Sequence, residues 1–137
     1  MKKIVLLIGV IILLSSCNNQ DHIITNQGVA GIQLGKAYDQ DYDTSDFDIT
    51  FDDQNLVKTI IISNANYITI DGFGVGTSFD EMMTKYDFLT INEDFNASKG
   101  KTPIIKLGKT IVHDKIIFLD STEDGIVDHI ILNDFDH

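Results

Sequence analysis

Carboxylates are the residues here with the most chemical potential. Asp120, Thr122, Asp124, Gly125 and Asp128 stand at positions one, three, five, six and nine of an EF-hand-like loop, a spacing that gathers oxygen ligands for calcium. The twelfth position, where a bidentate Glu would close the site, is Ile131. A plain hairpin turn between two aliphatic strands uses the same residues, and the Asp52 to Asn55 stretch reads as its counterpart. A second acidic stretch, Asp39 to Asp53, holds seven Asp in fifteen residues. It reads as a cation-binding surface, a surface for a basic protein, or simply a solvated face. His22, His113, His129 and His137 are too scattered for a short metal-ligand cluster. Gly72, Gly74 and Gly76 resemble a phosphate loop only in their glycines; no Lys-Ser/Thr follows, and they read as a bend from strand into helix.

These residues assign no catalytic set, no metal site and no cofactor. The chain has one cysteine, so neither a disulfide framework nor a multi-cysteine zinc site can form within it. Paired carboxylates leave a hydrolase as the catalytic alternative. A glycan cleft, however, usually needs aromatic platforms, and there is no Trp. The balance of 10 Lys and no Arg against 21 acids gives a net charge of −11. A nucleic-acid partner is not expected, because phosphate must be met by a basic patch.

Met1-Lys2-Lys3 is a short basic start, and Ile4 to Leu14 is an eleven-residue uncharged apolar run. As a helix it spans about 17 Å, short of a hydrocarbon core of about 30 Å. That length suits a signal segment. Leu14-Ser15-Ser16-Cys17 then resembles the bacterial lipobox. The resemblance implies a signal peptide over residues 1–16, lipid on the Cys17 thiol, and a mature chain starting at Cys17. Two or three acyl chains anchor far more firmly than one. Without Lys2 and Lys3 the mature chain keeps 8 Lys against 21 acids, a charge of −13. Anionic lipid would repel it, so the lipid on Cys17 has to hold it at the membrane.

Residues 17–27 read as a lipidated tether, and 28–137 as one domain built of two related units, about 28–70 and 71–137. Gly31 to Gln40 aligns with Gly72 to Glu81, and Leu56 to Ile62 aligns with Ile126 to Leu132. Ser78-x-x-Glu81 is a capping box. Phe79, Met82, Met83 and Tyr86 after it share one helical face, a core-packing stripe. A weaker helical turn is expected near Ala37 to Tyr42. Phe47, Ile49 and Phe51 alternate with polar residues as in a half-buried strand, and Leu56 to Ser63 returns as its partner. Tyr67 to Ile70, Thr110 to Leu119 and Ile126 to Leu132 read as further strands, and Thr90 to Pro103 as a long polar loop. The order predicts an α+β fold, tandem α-β-β(-β) units forming an antiparallel sheet with short helices on one face.

The two glycine turns, Gly31, Leu34, Gly35 and Gly72, Val75, Gly76, with the helix from Ser78, resemble the SmpA/OmlA/BamE-like lipoprotein modules and the tandem β-lactamase-inhibitor-type fold. The resemblance covers about 100 residues and implies a non-enzymatic envelope protein that binds other proteins. The expected function is therefore a lipid-anchored envelope lipoprotein with the membrane and an envelope protein as partners. A calcium-binding lipoprotein using Asp120 to Asp128 is the alternative. In a two-membrane bacterium Asn18, in place of a retention-signalling Asp, favours the outer membrane.

Overall fold

The computed structural model describes residues 22–38, 46–97 and 105–134. Cys17, the expected signal peptide, and Asp39, Asp41 and Asp43 lie outside the described residues, as does most of the weak helical turn expected near Ala37 to Tyr42.

Among the described residues ten strands and one helix follow one another. They are β1 (Ile23–Ile24), β2 (Gly28–Val29), β3 (Ile32–Gln33), β4 (Phe47–Phe51), β5 (Val57–Ile62), β6 (Ile68–Thr69), α1 (Phe79–Lys85), β7 (Asn92–Ala97), β8 (Ile105–His113), β9 (Ile116–Asp120) and β10 (His129–Asn133). Six of them form an antiparallel sheet in the order β4-β5-β10-β9-β8-β7. β1 pairs in parallel with β6, and β2 with β3 as a small hairpin.

The sheet follows from aliphatic alternation. Ile60, Ile62, Ile111, Phe118, Ile130 and Leu132 point to one face and are fully buried. Ile24, Val29, Ile32, Phe73, Phe79 and Met82, from β1 to β3, the glycine turn and α1, join them in one apolar cluster. Burying each such side chain contributes about 1.5–3 kcal/mol before the entropy of ordering it is counted. Thr59, Ile61, His129, Ile131 and Asn133 alternate to the other face and are half-exposed.

Positions that align in the sequence carry matching backbone bonds. The Gly35 amide donates to the Val57 carbonyl at 2.8 Å, and the Val57 amide to Lys36 at 2.9 Å. Their counterparts, Gly76 to Val127 and Val127 to Thr77, are both 2.9 Å. β5 and β10 then lie side by side with Ile60 opposite Leu132, Ile61 opposite Ile131 and Ile62 opposite Ile130. Ile61 thus faces its own counterpart, and a local two-fold axis passes through that pair. Gly35 and Gly76, with φ of 75° and 97°, turn the chain where a side chain would strain it.

The expected α+β class, with short helices on one face, is corrected. Among the described residues the molecule is mostly β-sheet, 46% strand against 9% helix, with one short helix. The capping box does start α1: Ser78 accepts from the Glu81 amide at 3.1 Å, and Phe79 and Met82 are buried. But α1 is seven residues long and ends at Tyr86, which is extended. Two further strand expectations are corrected. Part of the expected polar loop is β7, paired with β8. The expected single strand over Thr110 to Leu119 is a hairpin, turning at Asp114 and Lys115 with φ of 51° and 63°. Asp-Lys is a weak turn signal beside Asn-Gly, so periodicity alone ran through it. Within the span expected as tether, Ile23 and Ile24 form β1, and Ile24 is in the core.

Candidate functional site

One grouping of chemically able side chains lies where β6, α1 and β8 end together. Asp71 follows β6, Tyr86 caps α1, and His113 ends β8. The Tyr86 hydroxyl donates to one Asp71 carboxylate oxygen at 2.6 Å, and His113 Nε2 lies 3.4 Å from the other. The hydrogen bond to Asp71, then desolvation and the nearby negative charge, push the Tyr86 phenol above its ordinary pKa. Lys85 Nζ donates to the Asp71 carbonyl.

Aromatic rings frame the imidazole. Its centroid is 5.0 Å from Tyr86, 5.9 Å from Phe88 and 6.4 Å from Phe73. Beneath lies a recess of about 140 Å³, lined by Ile23, Ile70, Ile116 and Phe118 with Asp71 and His113 at its wall. Asn26 closes one side by donating to Asp114 at 3.2 Å. A carboxylate beside an imidazole is half of an acid–base device. Here one Asp71 oxygen accepts from Tyr86 and the other lies against His113 Nε2. The arrangement fixes three side chains and displays aromatic surface. Sequence reasoning did not gather it, because Asp71, Tyr86 and His113 come from three separate elements and their spacing matches no motif.

The residues singled out for calcium are brought together, but as a turn. Asp120 is fully buried; one oxygen accepts the Asp124 amide at 3.2 Å, the other the Gly125 amide at 2.7 Å. Asp124 accepts the Ile126 amide at 3.1 Å. Asp128 accepts the Ser121 amide at 2.7 Å and hydroxyl at 2.9 Å, and the Thr122 amide at 3.2 Å. These carboxylates tie the β9–β10 connection to itself. Among the described residues no three His, Cys, Asp or Glu side chains group so as to hold a metal. Asp52 plays the same part in the other unit, accepting the Gln54 and Leu56 amides at 2.8 and 3.0 Å.

Asp128 makes this turn sensitive to acid. Partial burial raises its pKa, but the Ser121 hydroxyl, the Thr122 and Ser121 amides and nearby His129 outweigh that and hold it below the usual carboxylate value. A lowered pKa in the folded state contributes stability that is present above the unfolded value near 4. That stability is lost as pH falls through the lower, folded one. The stability gap between the wild type and Asp128→Asn in urea titrations is therefore expected to be full from pH 5 to 7. It should close as pH drops below about 4. A gap unchanged between pH 3 and 7 would show that the charge contributes nothing.

The acidic stretch is only partly a free surface. Asp46 accepts from Asn64 at 2.9 Å and Tyr67 at 3.0 Å, pinning the β5–β6 connection. Asp48 and Asp53 are exposed. His129 lies on the half-exposed sheet face, its Nδ1 2.8 Å from Ser63 Oγ. His22 stacks near Tyr67 at 5.4 Å between centroids. Gly72 to Gly76 form the bend into α1. Comparison of the chain with protein families, curated proteins and solved structures found no match.

Proposed function

We infer that this is a lipid-anchored cell-envelope protein that acts by binding another protein rather than by catalysis. The observation that carries the reading is the sequence of residue types at the N-terminus: a basic start, an eleven-residue apolar run, then Leu14-Ser15-Ser16-Cys17. Lipid on Cys17 confines the domain to a membrane surface, where a neighbouring protein is met at high effective concentration. In a two-membrane bacterium that surface is the outer membrane's. The charge of the mature chain favours a basic partner, whose encounter is accelerated by attraction and slowed by salt.

Crosslinking in intact membranes, followed by purification of the anchored protein, tests the binding role. The informative variants are Asp48→Asn and Asp53→Asn; both side chains are exposed, whereas Asp46 holds Asn64 and Tyr67 in place. A discrete crosslinked neighbour is expected, recovered in lower yield from the double variant and at higher salt. No enriched neighbour, together with hydrolytic activity in the purified protein, would overturn the reading in favour of an enzyme.

A further inference from the structure

We propose that the layer carrying β1 and β6 docks on the lipid bilayer, with Ile70 and Phe88 entering its interfacial region. The orientation rests on the lipid anchor proposed for Cys17, but separate observations carry it. The first is where exposed apolar side chains gather. Thr69 faces the core, so its neighbours Ile68 and Ile70 face outward, 42% and 87% exposed. Ile23 lies opposite Ile68 in the parallel β1–β6 pair. Ile23, Ile70 and His113 line one recess, and the 65%-exposed Phe88 sits 5.9 Å from the His113 ring. Isolated exposed apolar residues are ordinary; several on one side of a molecule mark a contact surface.

The second observation is chain length. Only residues 18–22 separate Cys17 from Ile23. At about 3.5 Å per residue, even a fully extended link keeps Ile23 within about 20 Å of the lipidated residue. The anchor therefore enters the fold through the layer that bears the apolar residues, and no long spacer separates that layer from lipid. A protein partner has no such tie to this surface.

The rim also suits an interface between water and lipid. Lys85 lies 5.6 and 5.9 Å from the Phe73 and Tyr86 ring centroids, and the Tyr86 hydroxyl is tied to Asp71. Lys and Tyr combine an apolar body with a polar tip, the pattern of side chains that sit at the headgroup level. With Asp71 and Asp114 lining the recess and Asp87 next to Phe88 in the chain, attachment is through apolar contact and prefers zwitterionic to anionic lipid.

The test uses the full lipidated protein in phosphatidylcholine–phosphatidylethanolamine vesicles. Cys17 is the only native cysteine and its thiol is occupied by lipid, so Ile70→Cys, Phe88→Cys and Val112→Cys each supply one reactive site. Val112 is the control: it is 55% exposed and on the opposite face of the sheet from Ile111. Each variant carries an environment-sensitive fluorophore, and the lipid carries a quencher. Quenching several-fold stronger at 70 and 88 than at 112, and unchanged in high salt, is expected. Co-sedimentation of all three with vesicles but equal quenching, or quenching abolished by salt, would overturn the orientation alone. Failure to co-sediment would refute the anchor, and the orientation with it.

Discussion

Asp120→Ala is expected to destabilise the domain by about 3 kcal/mol, the loss of charge-assisted hydrogen bonds from a fully buried carboxylate. The Asp120 oxygens hold the Asp124 and Gly125 amides, and through Gly125 the loop reaches the helix: the Phe79 amide donates to the Gly125 carbonyl at 2.8 Å. Removing the carboxylate therefore loosens the start of α1 as well as the turn between β9 and β10. For a domain of this size the midpoint of thermal unfolding should fall by roughly 10 °C. Asp120→Asn keeps one acceptor but turns an amide donor toward a backbone N–H, so it should also destabilise, by less. A loss within about 0.5 kcal/mol for the alanine variant would mean that water replaces the carboxylate freely.

Local signals were the legible part of the fold. Ser78 and Glu81 marked a helix start, and the cap bond is there. The alternation from Phe47 and the aliphatic run from Leu56 became β4 and β5, although Phe51 is 43% exposed because the β4–β5 register shifts beside it. The Asp120 to Gly125 turn was read in place, but the direction of its carboxylates was not. A calcium loop and a self-bonded turn use the same residues and differ only in whether the oxygens face a common point or the backbone. The α+β expectation failed because it gave each unit a helix and treated the polar stretch after Thr90 as loop. Strand pairing depends on a distant partner, and the Asn92 to Ala97 segment becomes β7 only because β8 is beside it. The Asp71–Tyr86–His113 grouping was hidden for the same reason, since tertiary packing rather than spacing assembles it.

Cys17→Ser is expected to move the protein almost wholly from the membrane fraction to the soluble one. Each buried acyl methylene contributes about 0.8 kcal/mol, so two or three chains anchor the protein stably, and the serine variant has none. Among the described residues no helix is long and apolar enough to cross a membrane, and the chain's net charge of −11 opposes anionic lipid. Exposed Ile70 and Phe88 orient an anchored domain but are too few to retain an unanchored one. The most direct test of the account is the mass of the N-terminal peptide from the membrane-purified protein. The account predicts a peptide that begins at Cys17 and carries a thioether-linked diacylglycerol. An N-terminus at any other residue, or Cys17 present as a free thiol, would contradict it.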